Sequence, residues 1–313
     1  MRNLNCIFLI LCFNTIVLSQ SVKLKIQDDG VLFKEGKDSI LFYQTANKEL
    51  NGKYKRSNYI HPLYSLDGKI LTEDFPEDHP HHRGIFWAWH QLYIGDKRIG
   101  DGWIIKNFEW QVLSVEALKN KGKARSIKAH VVWKSPLWLD ENGNKKPLVS
   151  EYTTITVFPT KQNYRQIDIE IALIAKEPNT RIGGSEDKKG YGGFSPRIQL
   201  VEDIIFTSST GMVEPQNLPI EAGGWIDISG ALGHEGSMAG ISILSHHKNP
   251  GYPNPWILRS KRSMQNAVYP YPGANAVSLS NVEPTVLRYR ILIHNGITAS
   301  EISSQHIQYR KEG

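Results

Sequence analysis

The chain has almost no cysteine, little helical periodicity and no long apolar run beyond its first residues. Cys6 and Cys12 are the only two thiols among 313 residues, and both stand near the N-terminus. Arg2, an apolar run from Ile7 to Phe13, and then Val17-Leu18-Ser19 before Gln20 follow the three-part order of a secretory signal peptide, with cleavage expected after Ser19. Cys12 follows Leu11 rather than a small residue, which argues against lipoprotein acylation. The exported chain, residues 20–313, then holds no thiol, which excludes disulfides, cysteine-based metal sites and a cysteine nucleophile. Such a protein fits a bacterial periplasm or secretion. The apolar run is too short, and too interrupted by Asn14 and Thr15, to span a membrane, and no longer one follows.

Charge of one sign is not concentrated either. The formal net charge of +6 falls by one when Arg2 is removed. The densest basic run, Lys119 to Lys128, separates two strand-like segments and reads as a solvated hairpin tip rather than a nucleic-acid patch. No internal repeat, low-complexity linker or composition break marks a second domain, so residues 20–313 read as one domain. Hydrophobic residues at 40% and aromatics at 10% provide for a substantial core.

What is present is mostly strand. Val22 to Ile26, Ile40 to Thr45, Tyr59 to Tyr64, Trp103 to Leu113, Ser126 to Trp133, Tyr152 to Phe158 and Gln166 to Leu173 read as extended. So do Gly193 to Leu200, Trp225 to Ser229, Ala239 to Leu244, Trp256 to Arg259 and Val286 to His294. In one of them Ile167, Ile169 and Ile171 alternate with Asp168 and Glu170, the pattern of one buried and one wet face. Only Ser300 to Arg310 looks helical, with Ser300 as cap and Ile302, His306 and Tyr309 on one side. Many strands, short Gly/Pro/Asn turns and one late helix predict an all-β fold, a large antiparallel β-sandwich with a short C-terminal helix.

The stretch Asp74 to His90, DFPEDHPHHRGIFWAWH, concentrates polar chemistry beside an apolar run. His79, His81 and His82 lie within four residues, flanked by Asp78 and Arg83. If the segment is extended, His79, His81 and Arg83 share one side and Asp78 and His82 the other. His61 in Tyr59-Ile60-His61-Pro62 is a candidate neighbour. A second stretch, Gly190 to Arg197, ends in Arg197 at a strand. A third, Ser245 to Trp256, pairs His246 and His247 with a proline-stiffened loop bearing Tyr252 and Trp256. Aromatic faces of that kind cover the apolar side of a sugar ring, while Asn and His reach its hydroxyls.

The motifs DHPHHRG, YGGFSPR, GGWIDISG and HHKNPGYPNPW together resemble a bacterial family labelled "methane oxygenase PmoA", over nearly the whole exported chain. The resemblance implies an exported β-sandwich, similar in architecture to the galactose-mutarotase-like sandwiches, in protein sets devoted to glycans. It carries no catalytic residues across.

Three function classes follow. In the first, a sugar or glycoside is processed by acid/base chemistry as in an epimerase, lyase or hydrolase. His82 or His81 transfers the proton, Arg83 and Arg197 hold substrate oxygen, and His61, His246, His247, Tyr252 and Trp256 line the pocket. A carboxylate pair is not singled out, because Asp78, Glu151 and Asp227 are equally eligible. In the second, His79 and His81, with His61, His246 or His247, hold a divalent metal. In the third, the protein binds glycans without turnover. All three expect a small-molecule or glycan partner, with no nucleic acid and no membrane span, and they place His61, His81, His82, Arg83, Arg197 and His246 in one concave pocket.

Overall fold

The computed structural model describes residues 20–120, 122–261 and 264–312. The expected signal peptide, with Cys6 and Cys12, lies outside the described residues. Among these, antiparallel strands form an eight-stranded and a nine-stranded sheet, with smaller sheets of four and two strands. The eight-stranded sheet runs Val22–Gln27, Gly30–Glu35, Asp38–Gln44, Tyr59–Leu63, Ile85–Trp89, Gly192–Pro196, Asn266–Val268 and Trp256–Ile257. The nine-stranded sheet is built on Glu109–Leu118, Arg125–Leu139, Lys145–Val157, Tyr164–Ala175 and Thr285–His294, and continues through Ala239–Ser245 and Trp225–Gly230 to two short edge strands.

Period-two alternation explains how the sheets meet. In Tyr164–Ala175, Ile167, Ile169, Ile171 and Leu173 are buried and face inward, each worth about 1.5–3 kcal/mol of apolar burial. Asp168 and Glu170 face outward, where their directly opposite neighbours Arg290 and Arg288 pair with them at 2.7 and 2.8 Å. The inner faces of both large sheets share one continuous core, in which Phe194 stacks on Tyr289 at 4.4 Å and Trp89 meets Trp133 at 5.4 Å.

One carboxylate sits inside that core. Glu151 is fully buried and accepts from Asn58 Nδ2, Trp87 Nε1, Trp133 Nε1 and Thr153 Oγ1, each at 2.7 Å. Burial raises its pKa, and the four donors oppose that rise. Trp87 belongs to one large sheet and Trp133 to the other, so the side chain ties the layers together.

The helix α1 (Ala299–Lys311) covers part of the outer face of the nine-stranded sheet, packing Ile302 and Tyr309 on Trp225, Leu244 and Leu292. Its cap is Thr298, not Ser300. The Thr298 and Glu301 side chains satisfy each other's backbone N–H, a capping box that Ser300 cannot complete from inside the first turn. The expected strand from Trp103 starts later, at Glu109, because Asp101 Oδ1 takes the N–H groups of Trp103 and Ile104 at 3.0 Å and holds a turn there. No described helix is long and apolar enough to cross a membrane.

Candidate functional site

The segment between Asp74 and Arg83 is curled, not extended. Backbone bonds from His79 N to the Pro76 carbonyl (3.1 Å) and from His82 N to the His79 carbonyl (2.8 Å) make two successive turns. Residues three apart therefore meet, and His79 stacks on His82 with ring centres 4.8 Å apart; the adjacent His81 meets His82 edge-on at 4.6 Å. Gly84 closes the segment at φ 48°, where a Cβ would stand 2.1 Å from the Ile60 carbonyl oxygen.

The cluster is anchored by Arg197. Its Nε donates to Glu73 (2.5 Å), its Nη2 to Asp78 (2.7 Å) and its Nη1 to His82 Nδ1 (3.3 Å). A guanidinium only donates, so His82 Nδ1 is the acceptor and the neutral ring carries its proton on Nε2. Burial, then the neighbouring His81, His79 and Arg197, holds His82 far below the usual imidazole range. His81 is half-buried and held down to about 4, by burial first and then by His79 and Arg56. Burial pushes Asp78 up, but hydrogen bonds from His79 and Arg197 keep it below its ordinary value.

Arg83 turns away from these rings. Its Nε meets Asp74 (2.5 Å), Nη1 the carbonyls of Lys48 and Tyr54, and Nη2 the Tyr59 hydroxyl, while Phe75 lies 3.5 Å from its guanidinium. His61 bonds Thr72 Oγ1 at 3.0 Å and is held down to about 4 by burial, opposed by Asp74. Arg83 and Arg197, expected to hold substrate oxygen, have their donors engaged by protein partners. The exposure of each is at most 1%.

Next to the cluster stands a pair that the sequence reading passed over. His90 is the single residue between Ile85–Trp89 and Gln91–Ile94, where the chain leaves the large sheet for the four-stranded one. Its Nδ1 donates to Asp101 Oδ2 at 3.0 Å. The carboxylate can only accept, so in the neutral ring Nε2 is left as a base. Trp103 stacks on His90 at 5.3 Å and meets Tyr191 at 5.5 Å and His82 edge-on at 6.1 Å. A histidine directly after the apolar run Gly84 to Trp89 was the available signal.

Residues 31–307 match a family described only as one of unknown function, DUF6807. The chain belongs to that family. No curated protein matches it.

In this DUF6807 chain the expected single pocket divides in two. Trp87 points inward to Glu151, so its strand neighbour Phe86 points outward, and His82 lies 5.9 Å from Phe86. The imidazole cluster is thus on the outer side of the eight-stranded sheet. His246 is on the outer side of the other sheet, bonding the Glu312 carbonyl (2.9 Å) and meeting Tyr309 of α1 edge-on at 4.9 Å. It follows Leu244, which faces α1, and that placement by topology overrides the likeness of the two His-rich segments. His247 packs on His246 at 4.5 Å, and Tyr252 on His306 of α1 at 6.4 Å. Trp256 is buried, with Nε1 donating to the Gly223 carbonyl at 2.8 Å.

The three eligible carboxylates are likewise separated. Glu151 is in the core, Asp78 is held by Arg197 and His79, and Asp227 is bound by Ser242 and His294 at 2.7 and 2.8 Å. Among the described residues, no three His, Asp or Glu side chains are grouped to hold a metal ion. His79 and His81 stand with ring centres 5.7 Å apart, and His79 Nδ1 bonds Asp78.

Proposed function

We propose that this is an exported carbohydrate-active enzyme working by proton transfer, with His90 as the transferring group and Asp101 as its orienting partner. The observation that carries this reading is the 3.0 Å His90–Asp101 contact, in which the carboxylate is itself fixed by two backbone N–H groups. A base oriented by a third group is the working unit of general acid/base catalysis. His82, the sequence-level choice, suits this less: its Nδ1 is taken by Arg197, and its ring is a weak base where it sits. His81, half-open beside it but itself held down to about 4 by burial, stands second to His90 as a proton carrier. Carbohydrate as substrate class is supported by the half-buried Tyr191, which meets the buried Trp103 beside the dyad, and by the resemblance to exported sandwiches in glycan-directed sets. Export to the periplasm or beyond, and a galactose-mutarotase-like architecture, belong to the same proposal.

Turnover of a glycan library by the purified protein tests it. His90→Gln and Asp101→Asn should each reduce kcat by a factor on the order of 10² to 10⁴ with the fold retained. Turnover that survives both substitutions refutes the assignment. A metal-dependent reading predicts instead that a chelator abolishes activity, restored by added ion.

A further inference from the structure

Beside the dyad, the chain from Asp101 to Asn107 makes an unusual turn. Ile105 and Asn107 sit at φ 61° and 52°, a region that a β-branched residue such as Ile105 rarely adopts. The turn is held by reciprocal backbone bonds between Asp101 and Lys106, both 2.9 Å. It forms one side of a cleft of about 340 Å³, lined by Arg98, Asp101, Ile104, Lys106, Asn107 and Leu137. That volume is at the lower end of the range of small-molecule sites.

The charges around this cleft do not balance. Asp101 provides its one carboxylate, already shared by His90 at 3.0 Å and Arg98 at 3.5 Å. Lys106 is exposed and has no carboxylate partner among the described residues. Lys97 Nζ reaches the carbonyl of the lining residue Leu137 at 3.3 Å. Behind the turn lies Arg56, 1% exposed, between Phe86 and Trp110 with its guanidinium carbon 4.8 and 4.1 Å from their ring centres. Its Nη2 donates to the Gly102 carbonyl at 2.5 Å, its Nε has no partner, and no described carboxylate bonds it. A buried cation without a bonded counter-charge is unfavourable unless an anion comes within reach. The surplus is positive, and it surrounds the carboxylate that orients the base.

We propose that this cleft receives the carboxylate of an acidic sugar, so that the substrate is a uronate-bearing glycan. This rests on the carbohydrate reading above and narrows it. A uronate carries its carboxylate on the carbon that bears a removable proton. A base takes that proton, and the electron pair forms a double bond to the neighbouring carbon as the glycosidic oxygen there departs and is protonated by water. Cations on the carboxylate stabilise the charge that develops. Arg98 and Lys106 provide the cations and His90, joined to the same wall through Asp101, provides the base. Arg98 meets Glu186 outside the cleft at 3.0 Å, which leaves Lys106 as the unpaired contact.

Calorimetric titration of the full chain with oligogalacturonides and with neutral galactose oligosaccharides of equal length tests the proposal. The acidic ligands should bind about tenfold or more tightly than the neutral ones, the worth of one charge-assisted contact. Raised salt should shrink the preference. Lys106→Gln, at an exposed position, should remove most of it without altering thermal unfolding. Equal binding of acidic and neutral oligosaccharides overturns the uronate assignment while leaving the carbohydrate reading in place. Tighter binding of galactose 6-phosphate than of galacturonate overturns the carboxylate as the recognised group. Binding of succinate through Lys106, with no binding of either sugar series, overturns the uronate proposal together with the carbohydrate reading, leaving only an anion cleft.

Discussion

Mild acid should destabilise this protein well before its carboxylates titrate. His61 and His81 are each held near 4 from an ordinary value of 6.5, by burial, and His82 is held lower still. Above pH 6.5 these rings are neutral in the folded and the unfolded chain alike, and they add no pH dependence. Between 6.5 and about 4 the unfolded chain takes up protons that the folded chain refuses, so stability falls with pH and levels off below the folded values. At 1.36 kcal/mol per pH unit the full displacement is about 3 kcal/mol per ring. His61 and His81 are partly open to water, so about half that is expected from each. With a contribution from His82, the loss by pH 4.5 is of order 3–5 kcal/mol, set against a typical total stability of roughly 5–15 kcal/mol. Urea unfolding midpoints measured at half-unit steps from pH 7.5 to 4.5 read this directly. His81→Gln should flatten the profile by about 1–2 kcal/mol. A midpoint that stays constant from pH 6.5 to 4.5 refutes the reasoning, because it requires the folded rings to protonate as readily as the unfolded ones.

Other substitutions test the scaffold. Glu151→Gln keeps the shape but turns an amide N–H toward a donor that the carboxylate had satisfied. A loss of about 2–4 kcal/mol in thermal or denaturant unfolding is expected. Gly84→Ala sets a methyl carbon 2.1 Å from the Ile60 carbonyl oxygen at a positive φ. It should cost more than about 3 kcal/mol and disorder the imidazole segment, visible as loss of slow-exchanging amides there. Thr298→Ala should remove the capping box of α1 and cost about 1 kcal/mol, read as a lower unfolding midpoint.

The strands were legible where one face is buried and the other wet. Ile167, Ile169 and Ile171 against Asp168 and Glu170 carry that period in the sequence, and the cross-strand partners Arg290 and Arg288 follow from it. Trp103 misled because a large aromatic before an apolar run looks like a strand start. What makes it a turn is Asp101, whose short side chain competes for backbone N–H groups. The imidazole cluster was legible as composition but not as shape, since the turns at Pro76 and His79 are set by backbone bonds rather than by side-chain period. His246 was grouped with it because both segments follow apolar runs. The run before His246 joins its sheet by pairing with Trp225–Gly230 and Thr285–His294, the run before His90 joins the other by pairing with Gly192–Pro196, and local pattern records neither set of partners. Asp101 escaped for the same reason: its meaning lies in the eleven-residue detour that returns it to His90.

The Glu151 junction bears on how a ligand can reach the site. A sliding motion of one large sheet over the other would break the bonds from Trp87 and Trp133 to one carboxylate and leave a fully buried charge short of donors. The two layers therefore move as a single plate, and breathing between them is closed off as an entry route. Access to His90 has to come from the segments laid over the plate, residues 74–84 and 101–107. The first is held over the sheet by the Arg197 side chain, whereas the second is bonded through its backbone, from Gly102 and Trp103 N–H to the Trp89 carbonyl, so the first is the one free to open. Hydrogen exchange across the protein should accordingly show one fast-opening flap, residues 74–84, on a slow slab that includes the bonded amides of Gly102 and Trp103, with the chemistry at the seam between them.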